Sequence, residues 1–373
     1  MSGPLRVLLT GGGTGGHVYP ALAVAASAAE TGTAEFRYVG TAGGMEADIV
    51  RAAGLPFTAV QAGAVRGRTP IGAAIGLART VRGIAEARAV IRRFRPDVVL
   101  ATGGFVCVPV VLAARLSAVP SVVYLPDLRP GWAVRLLARV AAAVAVSFEE
   151  VRPFVPGRRV VVTGYPVRPE LLRWTRPRAR RSLGFPEDEP VLLVMGGSRG
   201  ARTINEAVTR GLERLLTAAW VIHATGTRDY PLVAAGLERL PDGLRTRYRV
   251  YPYLDSELAP CLAAASLVAA RAGASTLGEL PAVGAPGLLV PYPHAGAHQW
   301  LNARFLAERG AARIVEDAAA RHGALVEMAL ALLGNRAELA AMAEAARRLA
   351  RPDAAARLFQ LAAEVAQSPS HGM

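Results

Sequence analysis

The first residues able to do chemistry form a glycine-rich turn near the start of the chain. Gly11-Gly12-Gly13-Thr14-Gly15-Gly16 follows a strand-like segment, Arg6–Thr10, and precedes a helical pattern over Pro20–Glu30. Glycines there let a phosphate approach free backbone N–H groups at the positive end of a helix. His17 comes next, and an imidazole facing such a cradle is a candidate general base. A histidine that caps the helix or packs in the core has the same spacing, so both interpretations stay open.

Three further features could contribute to one or two ligand sites. Gly103-Gly104 ends a strand and faces the same sheet edge as the first turn, although it also fits a plain tight turn. In the second half, Ser198 lies in a glycine loop that suits a diphosphate, and Arg168 can add a charge-assisted hydrogen bond. Glu279 is the one acid between Ala272 and Ala303, and a ribose diol is a suitable partner for it.

Several classes of chemistry are excluded or disfavoured. All 43 basic side chains are arginine, so a Walker-type phosphate loop, a pyridoxal Schiff base and a lysine base are excluded. A nicotinamide enzyme is disfavoured because the strand Phe36–Val39 ends in Gly40-Thr41 without an acid. Cys107 and Cys261 are far apart in apolar surroundings, which predicts buried hydrophobic side chains and no metal site.

The segments that must position these residues alternate between strands and helices. Eleven short apolar runs predict parallel strands covered on both faces, hence a doubly wound α/β fold. The predicted strands are Arg6–Thr10, Phe36–Val39, Val98–Ala101, Ser121–Tyr124, Ala143–Val146, Val160–Val162, Val191–Met195, Trp220–Ala224, Tyr248–Val250, Leu267–Ala269 and Gly287–Val290. Both halves begin with strand, glycine turn and helix, which predicts two Rossmann-like units in tandem.

A proline- and arginine-rich stretch, Arg152–Arg181, predicts the junction between the two units. We therefore expect an N-terminal domain over residues 1–166, a C-terminal domain over 167–340, and terminal helices over 341–373 that pack back on the first domain. The uncharged run Val98–Ala114 is interrupted by Gly103-Gly104 and Pro109, so it predicts buried strand and helix and no membrane span. A soluble, cytoplasmic protein without a signal peptide is expected.

The net charge of +14 is the generic mark of nucleic-acid binding, but no stacking-aromatic motif accompanies it. The excess concentrates in the first half, where Arg66–Arg95 holds eight arginines and one acid. A helix after Pro70 should turn Leu77, Val81, Ile84 and Ile91 to the core and leave Ile71 and Ile75 exposed beside Arg79, Arg82 and Arg93. An anionic membrane surface is the expected partner, and an ordinary solvated helix is the alternative.

The motifs resemble those of the MurG family along nearly the whole chain. The signature runs Thr10-Gly11-Gly12-Gly13-Thr14-Gly15-Gly16-His17-Val18-Tyr19-Pro20-Ala21-Leu22-Ala23-Val24-Ala25. The match continues, in order, through Gly40-Thr41, Met45-Glu46-Ala47-Asp48, Arg66-Gly67, Gly103-Gly104-Phe105, Gly164, Pro166-Val167-Arg168, Gly196-Gly197-Ser198-Arg199-Gly200-Ala201, His223, Thr225-Gly226, Gly273-Ala274 to Glu279, His298-Gln299 and Asn302-Ala303.

This resemblance implies a GT-B glycosyltransferase whose two domains face a central cleft. It implies transfer of N-acetylglucosamine from UDP-N-acetylglucosamine to undecaprenyl-diphospho-N-acetylmuramoyl-pentapeptide (lipid I), forming lipid II for peptidoglycan. Inversion at the sugar, no metal and no cofactor are further implications. So are a peripheral place on the cytoplasmic face of the cell membrane and other cell-wall synthesis proteins as partners, with no nucleic acid.

The resemblance also implies roles for individual residues. His17 would be the catalytic base, and Gly12, Gly13, Gly103 and Gly104 would form the loops for the acceptor phosphate. The remaining substrate-binding set would be Thr14, Gly15, Gly16, Asp127, Arg168, Ser198, Leu254, Ala274, Ser275, Thr276, Leu277, Gly278, Glu279, His298 and Gln299. Within it, Arg168 and Ser198 would hold the donor phosphates, Leu254 would meet uracil through its backbone, and Glu279 would bind the ribose.

Two departures from the family pattern leave alternatives open. The family's His-Glu-Gln-Asn is Tyr124-Leu125-Pro126-Asp127 here, so Asp127 stands at the asparagine position and is a second candidate base. Arg199 replaces a glutamine in the second glycine loop. The alternatives are another GT-B transferase with a different lipid or natural-product acceptor, and a non-catalytic sugar-nucleotide or lipid-diphosphate binding protein. The Gly12–Pro20 signature disfavours a UDP-N-acetylglucosamine 2-epimerase.

Overall fold

A computed structural model describes residues 3–29, 32–63, 69–157, 159–197, 200–293 and 298–368. The chain forms two units. The first comprises Met1–Pro169 together with Pro352–Met373, and the second comprises Glu170–Arg351. Each is a parallel α/β unit, as the alternation of apolar runs predicts.

The first unit holds a seven-stranded parallel sheet in the order β3-β2-β1-β4-β5-β6-β7. Its strands are β1 (Leu5–Thr10), β2 (Ala34–Gly40), β3 (Phe57–Ala59), β4 (Val98–Ala101), β5 (Ser121–Leu125), β6 (Ala143–Val146) and β7 (Val160–Val162). The second unit holds a six-stranded parallel sheet in the order β10-β9-β8-β11-β12-β13. Its strands are β8 (Val191–Met195), β9 (Trp220–Ala224), β10 (Tyr248–Tyr251), β11 (Leu267–Ala270), β12 (Gly287–Leu289) and β13 (Ala312–Ile314).

Helices connect these strands. The first unit contributes α1 (Gly15–Ala29), α2 (Met45–Ala52), α3 (Pro70–Phe94), α4 (Cys107–Leu116) and α5 (Trp132–Leu137). Then follow α6 (Pro169–Leu172), α7 (Arg176–Leu183), α8 (Arg202–Arg210), α9 (Leu212–Ala218), α10 (Tyr230–Ala235), α11 (Asp242–Arg245), α12 (Leu258–Ala264), α13 (Thr276–Val283), α14 (His298–Glu308), α15 (Asp317–Arg321), α16 (Ala324–Gly334), α17 (Arg336–Leu349) and α18 (Ala354–Gln367). Two 3-10 helices span Glu149–Phe154 and Gly236–Arg239.

The order of the strands creates one switch point in each sheet. The chain leaves β1 towards β2 on one side, whereas β4 lies on its other side; β8 and β11 have the same relation in the second sheet. Ligands of open α/β sheets bind at the carboxyl ends of the strands beside such a point. The glycine loops after β1, β4, β8 and β11 all lie there.

Burial explains why the strands have so few polar residues. In β1, Val7 and Leu9 point to the face covered by α1 and α18, and Leu8 points to the opposite face, against α3 and α4. All three are fully buried. A strand covered on both faces gains apolar burial at every position, so it needs no polar alternation.

The eleven predicted strands are confirmed with small changes in their bounds, and two strands were missed. These are β3 and β13, each of three residues and each pairing only with β2 or β12 at a sheet edge. Helix α1 begins at Gly15, five residues before the prediction. The Thr14 carbonyl accepts from the N–H groups of His17 and Val18, and so starts the first turn ahead of Pro20.

The core face predicted for α3 is wrong at two positions. Leu77 and Val81 are 57% and 60% exposed, whereas Ile91 is buried as predicted. The helix instead packs on the first unit through small residues: a Cβ added at Gly83 would lie 1.8 Å from the Gln61 carbonyl oxygen. Such a close approach of two backbones leaves no room for large side chains on this part of the packed face, whereas Ile91 and Phe94 are buried farther along the helix.

The end of the chain is divided between the units. Helix α17 belongs to the second unit, where it packs on α13 and α16, whereas α18 returns to the first unit and packs on α1, β4 and β5. The rings of Phe36 and Phe359 lie 6.2 Å apart in this contact. The terminal helices were expected to pack together on the first domain. Instead α17 packs on the second unit, and only α18 packs on the first.

Candidate active site

The loops after β1 and β4 are bound to each other at the switch point of the first sheet. The Gly12 N–H donates to the Gly103 carbonyl at 3.1 Å. Gly104 adopts φ +89°, and a Cβ there would lie 2.3 Å from the Gly12 carbonyl oxygen. Only a residue without a side chain fits, so the two loops predicted to face one crevice, Gly12-Gly13 and Gly103-Gly104, form one structure.

His17 lies in the first turn of α1 with its imidazole held by this structure. Its Nδ1 lies 3.0 Å from the Gly12 carbonyl oxygen and 3.2 Å from Thr14 Oγ1. Because a carbonyl oxygen can only accept, Nδ1 carries the proton, and the neutral ring keeps a lone pair on Nε2. A Cβ added at Gly103, which adopts φ +118°, would lie 2.8 Å from Nε2. Gly103 therefore leaves room for the ring face, and Nε2 is the atom able to take a proton.

Buried groups support this loop pair from beneath. The Tyr38 hydroxyl donates to the Gly11 carbonyl at 2.9 Å, and Thr102 Oγ1 donates to the His17 carbonyl at 2.5 Å. Cys107 Sγ donates to the Gly103 carbonyl at 3.0 Å. Burial raises the pKa of the Cys107 thiol to about 12, so it stays a neutral donor. Both cysteines are buried, as predicted. Cys107 also supports the Gly103-Gly104 loop through its hydrogen bond to Gly103.

A buried carboxylate behind the first loop was missed as a functional residue. Glu46, in the first turn of α2, is 1% exposed and accepts hydrogen bonds from Thr41 N (3.0 Å), Thr41 Oγ1 (2.6 Å) and Gly13 N (3.3 Å). Burial acts to raise the pKa of Glu46, but these hydrogen bonds outweigh it and the pKa lies below its ordinary value. The sequence signal was present: an acid in a glycine-flanked helix start, directly after β2.

Two other predicted residues of the first unit lie outside the loop pair. Asp127 follows β5, which is separated from β1 by β4, and its charge together with burial raises the pKa of Tyr124. Two strand spacings amount to roughly 10 Å between β1 and β5. Arg168, expected on the second domain, is grouped with the first unit, where its guanidinium carbon lies 4.4 Å from the Tyr19 ring centroid.

The second unit carries a comparable pair of loops at its own switch point. After β8, Gly197 and Gly200 adopt φ +83° and +72°, and a Cβ at Gly200 would lie 2.2 Å from the Thr225 carbonyl oxygen. Ser198 and Arg199, between them, lie outside the described residues, as do Arg66, Gly67 and His294. The loop thus packs directly on the backbone after β9, and helix α8 begins two residues later.

The turn after β11 carries Glu279, the residue predicted to bind the ribose. Glu279 lies in the first turn of α13, following Ala274, Ser275, Thr276, Leu277 and Gly278, and is 6% exposed. Thr276 Oγ1 donates to the Gly273 carbonyl at 2.6 Å, and Asn302 Nδ2 donates to the Ala272 carbonyl at 3.1 Å. Two hydrogen bonds therefore hold the start of the turn that presents Glu279.

The other residues predicted to bind the sugar nucleotide lie at different places along the same sheet. Gln299 Oε1 accepts from the Tyr292 N–H at 2.9 Å, and His298 precedes it at the start of α14. Leu254 is buried after β10, at the edge of the sheet two strands from β8. The Glu279 turn and the Gly200 loop follow adjacent strands, β11 and β8, and Leu254 lies farther along the same edge of the sheet.

His223 is fully buried in a polar network beneath the second glycine loop. Asn205 Nδ2 donates to the Thr225 carbonyl (2.8 Å) and to Asp229 (2.9 Å), so its Oδ1 accepts from His223 Nε2 at 3.0 Å. His223 Nδ1 then accepts from the Tyr248 hydroxyl at 2.8 Å. Burial lowers the pKa of His223 to about 3, so this histidine is neutral and structural.

The described residues include neither a metal-binding cluster nor a membrane-spanning helix. No described group of three or more histidine, cysteine, aspartate or glutamate side chains could hold a metal ion. Within the same ranges, no helix is both long and apolar enough to cross a membrane.

Comparison with known proteins gives family matches in both units. Residues 7–146 match the Glycosyltransferase family 28 N-terminal domain, and residues 191–358 match the Glycosyltransferase family 28 C-terminal domain. The chain is 45% identical to the UDP-N-acetylglucosamine–N-acetylmuramyl-(pentapeptide) pyrophosphoryl-undecaprenol N-acetylglucosamine transferase of Roseiflexus sp., over 95% of this chain and 94% of that protein. A protein of the same name from Desulforudis audaxviator is 44% identical, over 94% of this chain and 95% of that protein.

Solved structures agree with these matches. The crystal structure of Acinetobacter baumannii MurG superimposes with a TM-score of 0.74 at 28% identity, covering 97% of this chain and all of that one. A putative UDP-N-acetylglucosamine 2-epimerase from Listeria monocytogenes has a TM-score of 0.70 at 18% identity, with 98% of each chain covered, and shows the fold alone.

Proposed function

The chain belongs to the MurG family of UDP-N-acetylglucosamine–N-acetylmuramyl-(pentapeptide) pyrophosphoryl-undecaprenol N-acetylglucosamine transferases, and from this premise we propose its reaction. It is a glycosyltransferase that moves N-acetylglucosamine from UDP-N-acetylglucosamine to the lipid-linked muramyl-pentapeptide acceptor of peptidoglycan synthesis. The proposal rests on relatives 44–45% identical over almost the whole chain and on the match of both family 28 domains.

One observation supports the chemistry in particular: His17 Nδ1 is hydrogen-bonded to the Gly12 carbonyl at the switch point of the first sheet, which leaves Nε2 of the neutral ring as the proton acceptor. In the proposed step, an acceptor hydroxyl attacks the anomeric carbon of the donor sugar and gives its proton to Nε2. The new carbon–oxygen bond forms while the bond from that carbon to the diphosphate breaks, and UDP leaves with the electron pair. Attack opposite to the leaving group inverts the anomeric centre.

The second unit is the proposed donor site. The start of α8, which follows the glycine loop after β8, would offer backbone N–H groups to the diphosphate, because a helix amino terminus stabilises negative charge. In the proposed reaction this helix terminus, and no metal, stabilises the leaving diphosphate. Glu279 would accept from the ribose hydroxyls, Leu254 would contact uracil, and Gln299 would contact the sugar.

The outer face of α3 is the proposed contact with the cytoplasmic face of the cell membrane. Ile71, Ile75, Leu77 and Val81 are 75%, 50%, 57% and 60% exposed, which is unusual for four large apolar side chains on one helix. Arg79, Arg82, Arg88, Arg92 and Arg93 are exposed along the same helix. An apolar surface bordered by arginines suits an anionic leaflet, and contact there would keep the enzyme near an acceptor whose polyprenyl chain stays in the bilayer.

UDP release tests the reaction against its alternatives. With UDP-N-acetylglucosamine and the lipid-linked acceptor, we expect acceptor-dependent UDP release and a product heavier by one N-acetylhexosamine. Release that depends on a different acceptor would identify another GT-B transferase. Donor binding without release in the presence of any acceptor would identify a binding protein.

A further inference from the structure

One peptide group connects His17 to a buried negative charge. The carbonyl of the Gly12–Gly13 peptide accepts from His17 Nδ1 at 3.0 Å. The N–H of the same peptide donates to Glu46 Oε2 at 3.3 Å. Carboxylate, peptide and imidazole are therefore in series, with one hydrogen bond at each end of a single peptide dipole.

We propose that Glu46 is a positioning residue for His17 and acts on it through the Gly12–Gly13 peptide. The inference rests on the proposed function in that it treats His17 as the base. In the described hydrogen bonds, Glu46 accepts from Thr41 and Gly13 and does not contact the imidazole. Its effect is to hold the proton of His17 on Nδ1, so that Nε2 remains free to accept.

The physical basis is polarisation along a hydrogen-bonded series. A carboxylate that accepts from an amide N–H increases the negative charge on the carbonyl oxygen of that amide, and each bond strengthens the next by an estimated 10–30%. The carbonyl then holds Nδ1–H more strongly and stabilises the positive ring that forms when Nε2 takes a proton. In a Ser-His-Asp triad the carboxylate contacts the imidazole directly, and here a peptide lies between them.

The surroundings of Glu46 suit this role. The carboxylate is 1% exposed, and the two bonds from Thr41 hold it in the ionised form. A Cβ added at Gly12 would lie 2.6 Å from Glu46 Oε1, so the charge packs directly on the loop. Among the described residues, the imidazole nitrogens of His17 contact Gly12 and Thr14 and no carboxylate. Glu46 is the charge to which the described hydrogen bonds connect the ring.

The test exchanges the carboxylate for an amide of the same shape. In Glu46→Gln, the side-chain oxygen can keep accepting from Thr41, while the new NH₂ group faces the Gly13 N–H and cannot accept from it. Asp97→Asn is the matched control, because Asp97 also accepts a backbone N–H, from Arg6 at 2.8 Å, but at the opposite end of β4. Circular dichroism and melting temperature verify that both variants fold.

The first readout is the tautomer of His17, from long-range ¹H–¹⁵N spectra of the free protein at a pH where the ring is neutral. His17→Gln assigns the signal. We expect the Nδ1–H tautomer in the parent and in Asp97→Asn, and a large shift towards Nε2–H in Glu46→Gln. An Nε2–H tautomer in the parent overturns the proposal without any variant, and so does an unchanged tautomer in Glu46→Gln.

The second readout is turnover. Glu46→Gln should lower kcat roughly tenfold, less than the ~10²–10⁴ expected for loss of the base itself, with KM for UDP-N-acetylglucosamine unchanged. Asp97→Asn should keep both values. A parent that shows the expected tautomer but transfers no sugar would refute the proposed function and leave the positioning role intact. An active parent whose Glu46→Gln variant keeps its tautomer and kcat would refute the positioning role alone.

Discussion

Among individual residues, His17 and Asp127 are the two candidate bases, and they differ in how they are held. His17 Nδ1 is fixed by the Gly12 carbonyl, which leaves Nε2 as an acceptor at the switch point. Asp127 follows a strand two positions along the sheet. The geometry therefore favours His17 as the base.

The two bases can be separated by turnover at saturating substrates. We expect His17→Ala to lower kcat by ~10²–10⁴, because the acceptor hydroxyl loses its proton acceptor. Asp127→Ala should raise a KM more than it lowers kcat, since a residue that only binds a substrate contributes before the chemical step. A kcat close to that of the parent in both variants would show that neither residue is the base.

Glu279 gives a prediction about the donor alone. In Glu279→Ala the ribose hydroxyls lose a buried charged acceptor, which should weaken UDP-N-acetylglucosamine binding by ~1–3 kcal/mol. Isothermal titration calorimetry without acceptor measures this directly. Glu308→Ala is the control, because Glu308 is an exposed acid of the same unit, paired with Arg304. A donor Kd equal to that of the parent would show that Glu279 does not bind the ribose.

Among the secondary elements, α3 shows how close packing determines which side chains are exposed. Gly76 and Gly83 bring the helix backbone against the loop at Gln61–Gly63, where a Cβ on Gly63 would lie 2.5 Å from Gly76 Cα. Small residues therefore occupy this part of the packed face. The larger apolar side chains, Leu77 and Val81, are left on the outer face beside Ile71 and Ile75.

Replacing the apolar side chains on this outer face should weaken membrane binding and leave donor binding unchanged. Serine at Ile71, Ile75, Leu77 and Val81 should reduce sedimentation with vesicles that contain phosphatidylglycerol. Each basic group near an anionic surface contributes ~1 kcal/mol, so serine at Arg79 and Arg82 should add to the loss and reduce its salt dependence.

The control for this surface is serine at Leu232 and Met328, which are exposed apolar side chains of the second unit. That variant should bind vesicles like the parent, and all variants should keep the donor Kd. Equal vesicle binding by the α3 variant and the parent at physiological salt would rule the surface out.

Across the whole chain, the two units differ in how the sequence builds them. The second unit is one continuous segment, Glu170–Arg351, whereas the first needs the last helix, α18, to cover β4 and β5. Leu358 and Leu361 on that helix are buried with Val7 and Leu9 of β1. The first unit therefore completes its core only when the carboxyl-terminal segment has been made.

The stability of the second unit should depend on pH through His223. Burial lowers the pKa of His223 to about 3, whereas an unfolded histidine titrates near ~6.5. The stabilisation is fully present above the unfolded pKa. It is lost as pH falls towards 3, because only the unfolded chain then binds the proton.

Urea unfolding at a series of pH values measures this dependence. The parent should lose up to ~1.4 kcal/mol per pH unit from this one group within that range. His223→Gln should be less stable at neutral pH but should show a slope smaller by about one proton. Equal slopes in parent and variant would contradict a neutral, buried His223.

Much of the fold could be predicted from the amino-acid sequence because it depends on local patterns. Eleven strands, the parallel arrangement, the tandem units and both cysteines follow from short apolar runs and from glycine turns. These signals are local because a strand buried on both faces is apolar at most of its positions. The edge strands β3 and β13 lack such runs, since partial burial and one neighbouring strand suffice to hold three residues.

Other features arise from contacts between residues distant in sequence, and only the folded chain shows them. Helical periodicity suggested that Leu77 and Val81 face the core, but glycine-mediated packing reversed this. The roles of Gly103 and Glu46 arise because β4 and α2 bring residues 86 and 29 positions away from His17 against one loop. A pattern along the chain records which residue types are available. Which peptide lies between a carboxylate and an imidazole is determined by three-dimensional packing.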